Sequence, residues 1–199
     1  PFFTASSTDS TGTYGFNFDN SNDLVSIPDN AALELASTIT VEAWIKPTSL
    51  AANDGIVDRW ANAGNRTWSM TRGSGTNGVG VMISSNGGNA TCNATSTAVM
   101  VASQWNHVSF TLDASRLYIG VNGHVQSFVC TSAIYTGGTS TVQIGGNRVG
   151  SFFDGMIDEV RISSFPLYSA STTSGTATST PSRFMGVATS TVALWHFNE

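Results

Sequence analysis

"LYIGVNGHVQSFV", residues 117–129, decides the fold class. Asn122-Gly123 is the strongest short hairpin signal, because a two-residue type I′ turn needs positive φ at both central positions. The stretch therefore predicts strands over 117–121 and 124–129, paired antiparallel. Working outward, "NHVSFTL" (106–112), "VGVMIS" (79–84), "STVQIGG" (140–146) and "GMIDEVRIS" (155–163) all read as strands. In "STITVEAWIKP" (37–47), Ile39, Val41, Ala43 and Ile45 alternate with Thr40, Glu42, Trp44 and Lys46 until Pro47 ends the run. Amphipathic helical periodicity is almost absent. Many short strands with turn residues between them predict an all-β fold, an antiparallel two-sheet jelly-roll sandwich.

Composition narrows the function. The chain has 199 residues, enough for one sandwich domain with a substantial core, and 40% are hydrophobic. Only 11% are charged, against roughly a quarter in ordinary soluble proteins, and Lys46 is the sole lysine. Ser, Thr, Asn and Gly supply the polarity instead, a composition that points to an extracellular or cell-surface protein. The net charge of −5 argues against nucleic acid and anionic lipid as partners. No apolar run approaches the ~20 residues that span a bilayer, so membrane insertion is not expected.

Cys92 and Cys130 are the only cysteines. The exported reading joins them in one disulfide; the other reading is two separate buried thiols. Asn65, Asn89 and Asn93 each head an Asn-x-Thr sequon, usable for glycosylation only in a host that glycosylates. Residues 4–13 and 169–182 are polar and irregular, the second a low-complexity Ser/Thr run of linker composition. The expected organisation is a body over 1–168, a linker over 169–190 and a closing strand over 191–199. In that last stretch, "TVALWHFNE", Val192, Leu194 and His196 face one way and Ala193, Trp195 and Phe197 the other. Such an apolar strand must be covered, either in its own domain or in a neighbour's.

"FNFDNSNDLVSIPDNAALELASTITVEAWIKP", then "QWNHVSFTLDASRLYIGVNG" and "FFDGMIDEVRIS", in that order over about residues 14–168, resemble the laminin-G-like, concanavalin A-like lectin/glucanase jelly-roll family. The resemblance implies two antiparallel sheets packed face to face, often with a structural Ca2+, in a carbohydrate-binding or adhesive module. Relatives usually begin with a strand like "ALWHFDE"; here the similar "ALWHFNE" comes last. Residues 191–199 therefore fill the family's first-strand slot in cis, fill that slot in a neighbouring subunit, or open a further repeat. The cis reading is preferred.

Catalysis is not expected. Glycoside hydrolysis needs two carboxylates aimed at one cleft, and no strand carries E-x-D-x-x-E. Asp158 and Glu159 are adjacent and so are read on opposite faces, while His107, His124 and His196 lie on different strands or turns. A metal reading rests on Asp19, Asn22 and Asp23 of "DNSND" with Asp158. Asp158 is read on the core face with Met156, Val160 and Ile162, where a carboxylate needs a partner, and Ca2+ held with the 19–23 turn would supply it. As an EF-hand that turn fails, lacking the Gly and Glu the loop requires.

Sugar recognition needs an aromatic platform beside amide and charged groups. Two clusters qualify: Trp60 and Trp68 with Arg59, Asn62, Asn65 and Arg66, and Phe152 and Phe153 with Asp154, Asn147 and Arg148. The competing reading packs these aromatics inside. The leading function is a non-catalytic extracellular carbohydrate-binding or adhesion module with a structural calcium and a glycan partner. The alternative is a structural subunit of a surface filament or repeat array, self-associating by strand donation through residues 191–199.

Overall fold

The computed structural model describes residues 15–50, 53–73, 76–146, 150–169 and 185–197. Residues 4–13 and most of the 169–190 stretch therefore lie outside the described residues. Among the described residues thirteen strands form: β1 (Phe16–Asp19), β2 (Val25–Ile27), β3 (Ile39–Pro47), β4 (Gly55–Trp60), β5 (Arg66–Arg72), β6 (Val79–Ile83), β7 (Cys92–Thr95), β8 (Asn106–Leu112), β9 (Arg116–Val121), β10 (His124–Val129), β11 (Val142–Ile144), β12 (Asp154–Ser163) and β13 (Thr191–Trp195). The one helical element among them is a single 3-10 turn, Ala31–Leu33, capped by the Asn30 side chain on the Ala32 amide.

The strands make two antiparallel sheets. One runs β1-β12-β3-β8-β9-β10 with β13 also on β12; the other runs β2-β11-β4-β5-β6-β7. The hairpin signal is met: Val121 pairs with His124, and Asn122 and Gly123 take φ of 50° and 83°. Between the sheets, Val41, Ala43, Ile45, Phe110, Ile119, Val57, Met70, Val81 and Ile144 form one continuous core, all but completely buried. Trp68 of one sheet meets Phe110 of the other, ring centroids 5.8 Å apart. Cys92 and Cys130 are disulfide-bonded with Cα atoms 5.8 Å apart, tying β7 to the residue after β10.

The outer edge of β12 is shared by two half-strands. β1 pairs with its first part, Phe16 opposite Ile157 and Asp19 opposite Asp154. β13 pairs with its second part, Trp195 opposite Val160 and Ala193 opposite Ile162. Both run antiparallel to β12, so Thr191–Phe197 and then Phe16–Asp19 lie end to end as one edge strand. At the junction the Phe16 and Phe197 rings stack at 4.3 Å. Ala193 and Trp195 pack toward the core, as the alternation predicts.

Where the half-strands meet, β12 bulges. Asp158 is opposite Trp44 and Arg161 opposite Glu42, so Glu159 and Val160 together face the single residue Ala43. Glu159 takes φ of 53°, in the left-handed region that a glutamate rarely occupies. The bulge corrects the sequence reading of this strand. Ile157 faces the core before it, Val160 and Ile162 face the core after it, and Asp158 shares a face with Met156 and not with Val160.

Candidate functional site

A binding surface on a sandwich has two outward faces to choose from, and here the centre of one is covered. On the seven-stranded sheet Glu42, Trp44, His107 and Arg161 point outward, yet Glu42 is wholly buried. Residues 164–169 roof them. Thr40 donates to the Phe165 carbonyl (2.8 Å) and accepts from the Leu167 amide (3.0 Å). Tyr168 donates its hydroxyl to Glu42, His107 Nε2 lies 2.9 Å from the same carboxylate, and Arg161 reaches it at 2.6 Å. Burial alone raises the Glu42 pKa, but the hydrogen bond and charge of His107, the Tyr168 hydroxyl and the Arg161 charge outweigh it and hold the carboxyl below the usual range. Burial and the Glu42 carboxylate push the Tyr168 hydroxyl up. This network fastens the roof.

The metal set predicted from sequence does not converge. Asp19 is opposite Asp154, and Asp158 lies four residues further along β12, about 13 Å away at strand spacing. The Asp158 carboxylate instead accepts the backbone amides of Glu159 (2.8 Å) and Phe197 (2.9 Å). Two main-chain donors, one of them two residues past β13, thus serve this buried carboxylate, which answers the demand that suggested a cation. Asp19 closes its own turn, accepting from the Ser21 amide at 2.9 Å, with Asn20 at φ 62°. Asn22 is exposed and Asp23 half-buried. Among the described residues no three His, Cys, Asp or Glu side chains come together to hold a metal ion. The residues present do not fit the calcium that the resemblance implied.

The six-stranded sheet presents the other outward face. Cross-strand pairing lines up Ser26, Gln143, Asp58, Ser69, Met82 and Asn93 in one row across all six strands. Asp58 and Ser69 close its centre, with Ser69 donating to Asp58 at 2.8 Å, while Ser26 and Asn93 at the ends are exposed. Trp60 and Arg66 are paired at the end of β4 and β5, on this same face. The Arg66 guanidinium lies over the Trp60 ring, 5.7 Å from its centroid, and donates to the Gly88 carbonyl (2.7 Å) and to Asn89 (3.5 Å).

Three loops meet beside that pair. The Gly64 amide donates to the Gly87 carbonyl (2.7 Å), and the Tyr135 amide donates to the Ser84 carbonyl (2.8 Å). Asn65 accepts from the Thr139 amide (3.0 Å). Half-buried Tyr135 thus stands at the same end of the sandwich as Trp60, Asn65, Arg66 and Asn89. An aromatic body, three amide- or guanidinium-bearing side chains and several backbone groups converge, which is the chemistry a pyranose ring requires.

The structure sorts the predicted ligand residues. Trp60 and Asn65 come together, with Arg66, although Trp60 is itself buried, 7% exposed, beneath the Arg66 guanidinium. Trp68 and Phe153 are in the core, Phe153 edge-on to Phe18 at 6.3 Å, so neither is a platform. Trp68 is inward because it follows the one-residue irregularity at Thr67 that leaves Trp60 outward. Phe152 is half-buried beside Gly146 at the Gly55 end of β4, about 16 Å from Trp60 at strand spacing. Asn147 and Arg148 lie outside the described residues. Of the sequons, Asn89 and Asn93 are exposed and Asn65 is half-buried. Tyr135 and Gln143 were missed: nothing in the sequence pattern ties the 135–139 segment to the β4–β5 turn.

Residues 19–172 match the family model of the concanavalin A-like lectin/glucanases superfamily. Among curated proteins none matches. Among solved structures, domain 4 of an extracellular family-43 arabinanase from Geobacillus stearothermophilus, in complex with arabinotriose, is similar at 20% identity and TM-score 0.60, over 81% of this chain and 75% of that one. The family-40 carbohydrate-binding module of the Ruminococcus gnavus intramolecular trans-sialidase, bound to α2,3-sialyllactose, is similar at 17% identity and TM-score 0.58, over 84% and 91%. The heptameric pentraxin of Limulus polyphemus is similar at 15% identity and TM-score 0.55, over 76% of each chain. At these identities the likeness shows the fold.

Proposed function

Because the chain belongs to the concanavalin A-like lectin/glucanases superfamily, we propose that it is a non-catalytic carbohydrate-binding module of an extracellular or surface protein. The single observation behind this reading is the convergence of Trp60, Arg66, Asn65, Asn89 and Tyr135 at the open end of the six-stranded sheet. The row running from there across the sheet through Gln143, Met82 and Asn93 extends the surface for an oligosaccharide. Two of the similar structures hold arabinotriose and α2,3-sialyllactose, which sets the first ligands to try. The disulfide and the sparse charge support an exported setting.

The non-catalytic part of the reading is supported by the make-up of that row. Asp58 is its central carboxylate; Ser69 and the Trp60 amide donate to it. The other five residues of the row are Ser26, Gln143, Ser69, Met82 and Asn93, groups that suit hydrogen bonding to sugar hydroxyls better than the two-carboxylate chemistry of glycoside hydrolysis. Calorimetry and glycan-array binding with arabino- and sialyl-oligosaccharides test the reading. Binding that Arg66→Ala and Tyr135→Ala both weaken, with the sugar recovered intact, is the expected result. Full binding by both variants sinks it.

A further inference from the structure

We propose that the groove along β12, from the Asp158–Glu159 bulge to Ser163, is a strand-binding site that takes residues 185–197 of a second copy of this chain as well as its own.

The groove is built to recognise one sequence. Glu159 is wholly buried, and both hydrogen bonds to its carboxylate come from the segment it receives: His196 Nδ1 at 2.6 Å and the Met185 amide at 2.7 Å. Asp158 accepts the Phe197 amide, and Arg161 donates to the Gly186 carbonyl at 3.0 Å. Phe197 completes the core by stacking on Phe16. A strand without His at one position and Phe at the next would leave a buried carboxylate unpaired and a cavity beside Phe16. Main-chain pairing to β12 supplies affinity and these two side chains supply specificity, the division of labour in strand addition.

The occupant is an edge strand. Among the described residues β13 pairs with no strand but β12 and is half-buried along its length. Leaving the groove breaks that one ladder together with the Glu159, Asp158 and Phe16 contacts, and the same set re-forms with an identical strand from another copy. Fifteen residues separate Ser169 from Met185 in the sequence, an extended reach of roughly 50 Å, enough to set the strand on the β12 of an adjoining copy. Copies joined one way, each strand in the next copy's groove, make a head-to-tail chain; copies that exchange strands reciprocally close as a dimer.

The test uses full-length chains. Ser163 is opposite Thr191, and its buried hydroxyl has no hydrogen-bond partner, so Ser163→Cys is a mild change. One chain carries Ser163→Cys and a second, distinguishable by mass, carries Thr191→Cys. They are unfolded together with the Cys92–Cys130 bond intact and refolded over a range of concentrations. The expected product is a mixed 163–191 disulfide between the two chains, rising with concentration. It should fall more than about tenfold when the Thr191→Cys chain also carries His196→Ala and Phe197→Ala. The proposal is overturned if a single chain carrying both Ser163→Cys and Thr191→Cys closes its own 163–191 bond while mixtures of the two single-cysteine chains stay monomeric, or if the donor substitutions leave the cross-link unchanged. Native mass spectrometry of the unmodified chain, refolded at the same concentrations, reads the assembly without cysteines; monomer alone at every concentration also overturns it.

Discussion

Glu159 Oε1 and His196 Nδ1 lie 2.6 Å apart although they are 37 positions apart in the chain, and this pair anchors the terminal strand. The carboxylate is fully buried while the histidine is partly open to solvent. Removing the partner leaves the carboxylate in a low-dielectric site with half its hydrogen bonding gone, which costs more than losing an exposed ion pair would. Phe197→Ala adds a cavity against Phe16. We expect His196→Ala to destabilise by about 1–3 kcal/mol and Phe197→Ala by about 3 kcal/mol in urea unfolding, with the m-value unchanged. Wild-type stability in both would mean that β13 does not cover β12.

Asp158 separates two explanations for a buried acid. Read as a calcium ligand, it should lose its role when the metal is chelated. Read as the acceptor for the Phe197 and Glu159 amides, it should not. Asp158→Ala is therefore expected to cost about 1–3 kcal/mol by the same amount in calcium and in chelator. The wild-type melting temperature should likewise be the same in both. A calcium-dependent difference that Asp158→Ala abolishes would restore the metal.

The bulge at Glu159 also explains where sequence reading succeeded and failed. The hairpin at Asn122-Gly123 and the alternation in residues 39–46 were legible because turn chemistry and period-two burial are local. Asp158 was misplaced because one inserted residue reverses every later side chain on the strand, and a glutamate at positive φ gives no warning of it. Trp68 was read beside Trp60 in one candidate platform, with packing inside as the competing reading; the irregularity at Thr67 puts Trp68 on the core face and leaves Trp60 on the other. The Trp60–Arg66 pair was half legible, since both residues lie in one short stretch. Tyr135 was not, because only the meeting of three loops brings it there.

Acid should loosen the roof over the seven-stranded sheet. The Glu42 pKa is held below its unfolded value, so the stability it contributes is fully present above about pH 4.3 and is lost as pH falls through the depressed folded value. Asp54 runs the other way: burial lifts its pKa despite the paired Arg72, so its protonation does not add to acid loss. Glu42→Gln should lower stability at neutral pH by about 3 kcal/mol and flatten the acid limb of the stability–pH curve. An acid limb as steep in Glu42→Gln as in wild type would place the titration elsewhere.

Arg66 covers the Trp60 ring, so the two residues report binding together. Sugar added to the wild type should change tryptophan emission as the guanidinium shifts. Arg66→Ala should expose the ring to collisional quenchers while lowering sugar affinity by about tenfold, the weight of one charge-assisted hydrogen bond. Unchanged quenching alongside weakened binding would separate the arginine's contact with sugar from its contact with tryptophan.

The Cys92–Cys130 bond fastens the edge strand β7 of one sheet to the end of β10, the edge strand of the other. No main-chain ladder joins these two edges, so the disulfide is the covalent seam between the sheets on that side. It closes a loop with a sequence separation of 38, for which chain entropy alone predicts about 4 kcal/mol of stabilisation. Gln126 of β10 adds a weaker seam, accepting from the Thr97 amide at 2.7 Å and donating to the Thr97 hydroxyl at 2.6 Å. Reduction should therefore lower the urea midpoint strongly, and Gln126→Ala should cost a further ~1 kcal/mol in the reduced protein. If Gln126→Ala costs nothing once the disulfide is open, the two sheet edges part there on reduction and the disulfide is the only fastening on that side.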